Sequence, residues 1–312
     1  MARAVRCRLA LFILKGWFVT LSFLDPVRRL LPARLRKEEV VVPVVRLSGV
    51  IGQGSAWRPG ITLAAVAPLL KRAFSVKAAP AVAIVINSPG GSPVQSHLVF
   101  KRIRALADEH GKDVVVAVED VAASGGYLIA LAGDRIIVDR SSIVGSIGVV
   151  SAGFGFTGLI EKLGIERRVH TAGENKAMLD PFQPERDSDI EHLKSLQRDV
   201  HDMFIDLVRT RRGARLSDEP TLFSGAFWSG ARGVELGLVD AIGDLRSHLR
   251  ERLGDKLRLA VIEPKRGLFS RFGADRGGIG SFGPHSGTFA TEIVDHALSA
   301  VEQRALWARY GL

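Results

Sequence analysis

One serine stands where a strand pattern changes into a helix pattern. Residues 118–132 read VEDVAASGGYLIALA, so a β-branched run leads into the pentapeptide AASGG, centred on Ser124. A serine between small residues at such a junction presents its hydroxyl at an open backbone, beside amide groups that point the same way. Ser124 is therefore a candidate nucleophile with part of an oxyanion hole. Taken alone, the pentapeptide favours a plainer interpretation, a close-packed turn in which Ser124 only caps a helix.

A second glycine-rich loop comes one strand and one helix earlier. The apolar run Ala81–Ile86 is followed directly by NSPGGSP, residues 87–93. Its glycines permit positive φ angles and a close backbone approach, which lets amide groups point at an anion. The loop lacks the Gly-Lys-Ser/Thr ending of a phosphate loop and does not match G-x-G-x-x-G. Because adjacent parallel strands end at the same edge of a sheet, we expect this loop to lie beside Ser124.

A nucleophilic serine needs a group that accepts its proton. The eight histidines are scattered and none lies in a short glycine-bounded motif, although a Ser-His-Asp triad assembled from distant positions stays open. A desolvated lysine is the alternative base. Lys176 follows a predicted strand, Arg167–His170, in a loop, where most lysines are simply solvated. An ion pair with nearby Glu174 would hold Lys176 in its charged form, which cannot accept a proton.

The elements around these loops alternate between strand and helix patterns. Strands are predicted at Val40–Ile51, Ala81–Ile86, Asp113–Val118, Arg135–Val138 and Leu257–Ile262. Helices are predicted at Ile61–Val76, Pro93–Leu106, Ser124–Leu131, Leu159–Leu163, Asp187–Arg211 and Leu245–Leu253, with a short helix and strand within Ser224–Gly243. This alternation predicts an α/β fold with a parallel sheet and crossover helices.

The positive charge lies mainly at the N-terminus. The net charge is +10, and residues 1–37 carry nine basic side chains against one acidic side chain. A nucleic-acid groove would need that charge on the folded body, so we expect no nucleic-acid partner. The basic residues flank the apolar run Leu9–Leu24, which as a helix spans about 24 Å of a hydrocarbon core about 30 Å thick. Snorkelling arginines can make up the difference, so the segment is predicted to be a marginal membrane anchor or an interfacial helix, of unresolved orientation.

Composition divides the chain into three regions. Residues 1–37 are the predicted membrane anchor, and residues 38–265 form the α/β domain. Residues 266–312 hold a Gly-rich linker and an amphipathic helix, Phe289–Tyr310, that suits a partner subunit or a membrane surface. Cys7 is the single cysteine, so no disulfide can form within the chain and the fold requires no oxidising compartment.

Five motifs occur in an order that resembles the S49 peptidases, in particular the single-repeat signal peptide peptidase A and SohB-like members. They are Ile86-Asn87-Ser88-Pro89-Gly90-Gly91, Ala122-Ala123-Ser124-Gly125-Gly126-Tyr127, Gly145-Ser146-Ile147-Gly148-Val149, Lys176 with Asp180-Pro181-Phe182, and Gly237-Leu238-Val239-Asp240. The resemblance covers roughly Val40–Leu253. The SPGG loop also occurs in the Clp protease and crotonase families, which share the fold.

The resemblance implies a role for five residues on a ClpP/crotonase-like fold. Ser124 would be the nucleophile and Lys176 the general base of a Ser-Lys dyad. Gly91 and Gly125 would donate the amide hydrogens of the oxyanion hole, and Ser146 would hold the lysine amine in place. The reaction needs no metal and no cofactor.

The resemblance also implies partners and a location. In the family the serine and the lysine come from neighbouring subunits, so the active form would be a homo-oligomer. Its substrates would be small extended peptides such as remnant signal peptides, at the bacterial inner membrane, with the N-terminal segment in contact with lipids. Two alternatives remain open. One is a crotonase-like acyl-CoA enzyme that uses Gly91 and Gly125 to hold a thioester enolate, and the other is a catalytically silent membrane scaffold.

Overall fold

The computed structural model describes residues 39–52, 60–264, 301 and 304–312. The predicted membrane anchor, the Gly-rich linker and most of the predicted C-terminal helix lie outside these residues. Within the described ranges, no helix is both long and apolar enough to cross a membrane.

Eight strands form one sheet. They are β1 (Val40–Ser48), β2 (Ala81–Ser88), β3 (Asp113–Ala123), β4 (Arg135–Val138), β5 (Ile143–Gly145), β6 (Phe227–Ser229), β7 (Ala241–Ile242) and β8 (Leu257–Val261). The main order is β6-β5-β3-β2-β1-β8, and β4 lies between β3 and β7. Every pairing is parallel except that of β5 with β6. The predicted parallel sheet with crossover helices is therefore confirmed.

Helices connect the strands and cover the sheet. They are α1 (Leu63–Phe74), α2 (Pro93–His110), α3 (Gly125–Ala130), α4 (Thr157–Lys162), α5 (Asp187–Arg212), α6 (Gly230–Glu235) and α7 (Leu245–Leu253), with a short 3₁₀-helix at Gly213–Arg215. Six of them fall where the sequence places a helix, within a few residues at each end.

The apolar strand β2 is buried on both faces, as a central parallel strand requires. Val82, Ile84 and Ile86 point into the larger core cluster, which the helices α1, α2 and α3 share. Ala83 points to the opposite face and joins a smaller cluster with Leu249 of α7. Successive side chains of β2 thus point to opposite faces of the sheet and contribute to two separate core clusters.

Strand β3 has two successive neighbours on one side. Val115, Val116 and Ala117 pair with β4, and the last three residues, 121–123, pair with β5. The second pairing carries β3 five residues beyond the predicted end at Val118. Its last residue is Ala123, so Ser124 follows the end of the longest strand directly.

A long excursion, residues 150–186, leaves the sheet after β5 and returns at α5. We call it the arm; none of its residues is buried. It holds itself together by the hydrogen bond from Phe156 N to the Pro181 carbonyl (2.6 Å) and by Arg167, which pairs with Asp180 and stacks over Phe182. The predicted strand Arg167–His170 is wrong: this exposed segment is not a strand, and no strand of the described ranges pairs with it.

A buried ion pair joins the end of α5 to the sheet. Two guanidinium nitrogens of Arg212 each donate to a carboxylate oxygen of Asp240 over 3.0 Å. The Arg212 side chain is 2% exposed and the Asp240 side chain 9%. Arg215 adds a third contact, and the Ile136 amide donates to the same carboxylate. Burial raises the pKa of Asp240, but the hydrogen bonds from Arg212 and from the Ile136 amide outweigh it, so the pKa lies below its ordinary value.

Candidate active site

Ser124 has a backbone conformation that an L-residue rarely adopts. Its φ is 52° and its ψ is −121°, at the sharp turn between β3 and α3. The Ser124 amide donates to the Gly145 carbonyl (2.8 Å) and its carbonyl accepts from Leu128, so the turn is fixed at both ends. The side chain makes no capping hydrogen bond, which removes the plain capping interpretation. Strain of this kind, about 1–3 kcal/mol, is typical of a serine held out for chemistry.

The loop after β2 lies directly against Ser124, as expected from the sheet order. A Cβ added to Gly90 would lie 2.8 Å from the Ser124 Cβ and 3.1 Å from the Gly125 amide nitrogen. A Cβ added to Gly126 would lie 2.6 Å from the Ser88 carbonyl oxygen. Only glycine allows these two backbones to approach so closely.

The amides of Gly91 and Gly125 are both available at this junction. Gly91 has φ 139° and is held by a parallel bridge to Ile51, whose carbonyl accepts from Ser92 rather than from Gly91. Gly125 is the first residue of α3, so its amide has no partner within the helix. Among the residues that the structure describes, neither amide donates a hydrogen bond. The two donors that the sequence predicts for an oxyanion hole therefore lie in the turn after Ser124 and in the loop that packs against that turn.

The variant Gly91→Ala tests how tightly this loop is held. Its Cβ would overlap the carbonyl group of Ile51, and its φ would be strained as well. Gly49→Ala is the matched control, because Gly49 has a similar φ of 115° but no atom within 4 Å of an added Cβ. We expect the control to lower the free energy of unfolding by about 1 kcal/mol and Gly91→Ala by about 2–3 kcal/mol in urea denaturation. Equal losses would contradict the close approach.

Sequence reasoning missed two residues that hold the loop after β2. The Asn87 side chain donates to the Asp120 carboxylate (2.6 Å) and accepts from the Val121 amide (3.3 Å). Asn87 therefore ties the start of this loop to the end of β3. The sequence contained an indication of this role, because Asn87 is the first polar residue after the apolar run Ala81–Ile86.

Ser146 lies one strand away from Ser124 in the same position relative to the sheet. Ala123 pairs with Gly145, so the two serines follow directly after neighbouring strand ends. Ser146 also has a positive φ, 53°, and its amide donates to the Ala226 carbonyl (2.7 Å). Its side chain is buried. The structure thus brings Ser124, Gly91, Gly125 and Ser146 to one edge of the sheet.

Lys176 is not part of this cluster within the chain. It lies on the exposed arm and forms no hydrogen bond with Ser124 or Ser146. No ion pair joins it to Glu174 in the described residues, so the expected competition for its charge is absent there. Of the six histidines that the structure describes, none hydrogen bonds to Ser124, and His201 contacts the Ile147 carbonyl instead.

Comparisons with known proteins agree on one family. Residues 107–256 match the model of peptidase family S49. A Synechocystis protein with the name "Putative protease slr0021" is 31% identical over 201 residues, which cover 62% of this chain and 71% of that protein. The Arabidopsis thaliana protein "Serine protease SPPA, chloroplastic" is 32% identical over 213 residues, 65% of this chain and 31% of that protein.

A longer relative carries a different name. A Brucella abortus protein named "Na(+)/H(+) antiporter NhaA" is 55% identical over 291 residues, which are 92% of this chain. The chain spans 39% of the length of that protein, so the name describes a much longer polypeptide. The match to the family model covers the strands and loops that carry Ser124 and Ser146. This chain belongs to peptidase family S49.

Proposed function

We propose that this chain is a serine endopeptidase in which Ser124 is the nucleophile and Lys176 of a neighbouring copy is the general base. One observation carries the proposal. Ser124 is held in a strained turn and its hydroxyl makes no capping hydrogen bond, while the nearby amides of Gly91 and Gly125 donate to no acceptor among the described residues. A serine that only caps a helix needs no such backbone strain. The same holds for the crotonase-like alternative, in which Ser124 would take no part in holding the enolate.

The reaction follows from the positions of these groups. The Ser124 oxygen bonds to the substrate carbonyl carbon while its proton passes to the uncharged Lys176 amine. The amides of Gly91 and Gly125 donate to the oxyanion, an effect worth about 3 kcal/mol per donor. The carbon–nitrogen bond then breaks, and the lysine returns the proton to the leaving amine. Water then attacks the ester carbonyl carbon and gives a proton to Lys176. The ester bond breaks, and Lys176 passes that proton to the Ser124 oxygen, which restores the free serine and the uncharged amine.

The arm supplies the reason for placing the base on another copy. Its exposed apolar side chains are Val150, Phe154, Phe156, Leu159, Leu163, Ile165, Val169 and Leu179, and Phe154 is 76% exposed. An apolar surface of this size is typical of a protein interface. A second copy that covers the arm would desolvate Lys176, which favours its uncharged form. Ser146, one strand from Ser124, would accept a hydrogen bond from that amine.

The substrate and location are proposed from the anchor and the relatives. The proposed substrates are small extended peptides such as remnant signal peptides, and the basic, apolar N-terminal segment would hold the enzyme at the inner membrane. The crotonase-like alternative assigns no role to Ser124 and so does not explain its strained backbone conformation. The scaffold alternative would give no role to the strained, half-buried Ser124 or to the two amides that lack an acceptor in the described part of the chain.

A fluorophosphonate probe tests the proposal, because it bonds covalently only to an activated serine. We expect the full chain in detergent to be labelled on Ser124, and the label to disappear in Ser124→Ala. Ser141→Ala is the control, since Ser141 is exposed and its hydroxyl makes no hydrogen bond in the described residues. Lys176→Ala should label far more slowly than Lys162→Ala, which removes another arm lysine. Labelling that survives in Ser124→Ala, or full peptidase activity in Lys176→Ala, would reject the dyad.

A further inference from the structure

The C-terminal segment, residues 304–312, lies on the sheet beside the two active-site serines. Its first five residues are helical. Tyr310 is 7% exposed and packs against Val121 and Ala123, with Ile143 and Trp307 at the edge of the cluster. The segment therefore covers the face that β3 and β5 present just before Ser124 and Ser146.

Tyr310 also contacts two loops of the proposed active site. Its hydroxyl lies 3.3 Å from the Ser146 hydroxyl and 3.5 Å from the Pro89 carbonyl, which belongs to the loop that carries Gly91. Its ring meets Phe227 edge to face, with the centroids 5.0 Å apart. Contacts with the loop after β2, with Ser146 after β5 and with Phe227 of β6 thus hold the Tyr310 side chain in place.

The contact with Ser146 matters because of the role proposed for that hydroxyl. With Tyr310 in place, Ser146 is only 4% exposed. An amine that approaches the Ser146 hydroxyl must first move the phenol that already hydrogen bonds to it. A substrate side chain that packs on Val121 and Ala123 must displace the same ring.

We propose that the C-terminal segment is a built-in inhibitor of this active site, with Tyr310 occupying the place that the lysine amine and an apolar substrate side chain need. The inference rests on the proposed function, since it assigns Ser146 to the dyad. The occupant is the chain's own segment, and it competes with both the neighbouring copy and the substrate. Activity then depends on the fraction of time that the segment is displaced.

The contacts suit a reversible competitor. Tyr310 and Trp307 bury apolar area on a small cluster, and the hydrogen bonds of the Tyr310 hydroxyl are long, at 3.3 and 3.5 Å. If the segment is seated nine-tenths of the time, the measured rate is about tenfold below that of the open site.

Two substitutions at Tyr310 test the inference in the full chain. Tyr310→Ala removes the ring, and Tyr310→Phe removes only the hydroxyl. Arg304→Ala is the control, because Arg304 is exposed in the same segment and takes part in no hydrogen bond or ion pair with the described residues. We expect initial peptidase rates and fluorophosphonate labelling of Ser124 to rise about tenfold in Tyr310→Ala, less in Tyr310→Phe, and not at all in Arg304→Ala. The KM for an apolar peptide should fall in Tyr310→Ala.

The outcomes separate this inference from the proposed function. If the wild type is active and labelled, but both Tyr310 variants are equally active or slower, the segment is not an inhibitor while the peptidase remains. If no protein is labelled, including Tyr310→Ala, the proposed function fails and this inference with it. Tyr310→Phe keeps the ring and its packing, so it remains informative if Tyr310→Ala does not fold. Labelling that appears only in the Tyr310 variants supports both.

Discussion

We expect Ser124→Ala and Lys176→Ala proteins, each inactive alone, to regain peptidase activity when they are mixed and reassembled. Each substitution removes one half of a serine–base pair, and we expect losses of about 10³–10⁶-fold in kcat. If the serine and the lysine come from neighbouring copies, some sites in a mixed oligomer pair an intact serine with an intact lysine. Random mixing in equal amounts gives about a quarter of the wild-type sites. Hydrolysis of a fluorogenic peptide by the mixture measures the recovery.

The control mixture combines Ser124→Ala with the double variant Ser124→Ala/Lys176→Ala. It contains no intact serine, so it must stay inactive, and any rate it shows reports contamination. Mixed oligomers that form without regaining activity would place the lysine on the same chain as its serine. That result would contradict the role assigned to the arm but would leave Ser124 as the nucleophile.

Asp240→Asn is expected to lower the free energy of unfolding by about 3–5 kcal/mol, because it leaves the buried Arg212 guanidinium without a charged partner. The change acts at a distance from Ser124, at the junction of α5 with β4 and β7. Asp108→Asn is the matched control: Asp108 pairs with Arg104 across one helical turn but is largely exposed. The control should change stability by less than about 0.5 kcal/mol in urea denaturation.

The pH dependence gives a second test of the same pair. The pKa of Asp240 lies below its ordinary value of 3.8 in the folded chain. A carboxylate of this kind stabilises the fold fully above its unfolded pKa, and the stabilisation is lost as the pH falls through the folded pKa. The difference between wild type and Asp240→Asn should therefore stay constant above about pH 4 and shrink below it. A difference that grows on acidification would show that the carboxylate is not the stabilising group.

The sheet could be predicted well from the sequence, because its central strands are short apolar runs that are typical of buried parallel strands. Ala81–Ile86 can be buried only on both faces, and the glycine loop after it had to meet the loop at Ser124 once the strands were parallel. The arm was harder to predict. Arg167–His170 has the composition of a strand, yet a strand exists only where another strand pairs with it.

The site could be predicted in part. Residue types alone indicated Ser124, Gly91 and Gly125, because a serine among small residues is a pattern that can be read from neighbouring positions in the sequence. The strained φ of Ser124 is not visible in its type, because serine normally avoids that region. The contact between Tyr310 and Ser146 spans 164 positions, so no local pattern could have revealed it.

The two halves of the proposed dyad belong to regions of opposite local stability. Ser124 follows a strand that pairs with three others, so hydrogen exchange of the backbone around it should require nearly global unfolding. Lys176 lies on an arm without a core of its own, whose amides should exchange within seconds in a lone subunit. Dilution would therefore switch the enzyme off long before heat or denaturant does, and the cell could set its proteolytic output through the amount of protein alone.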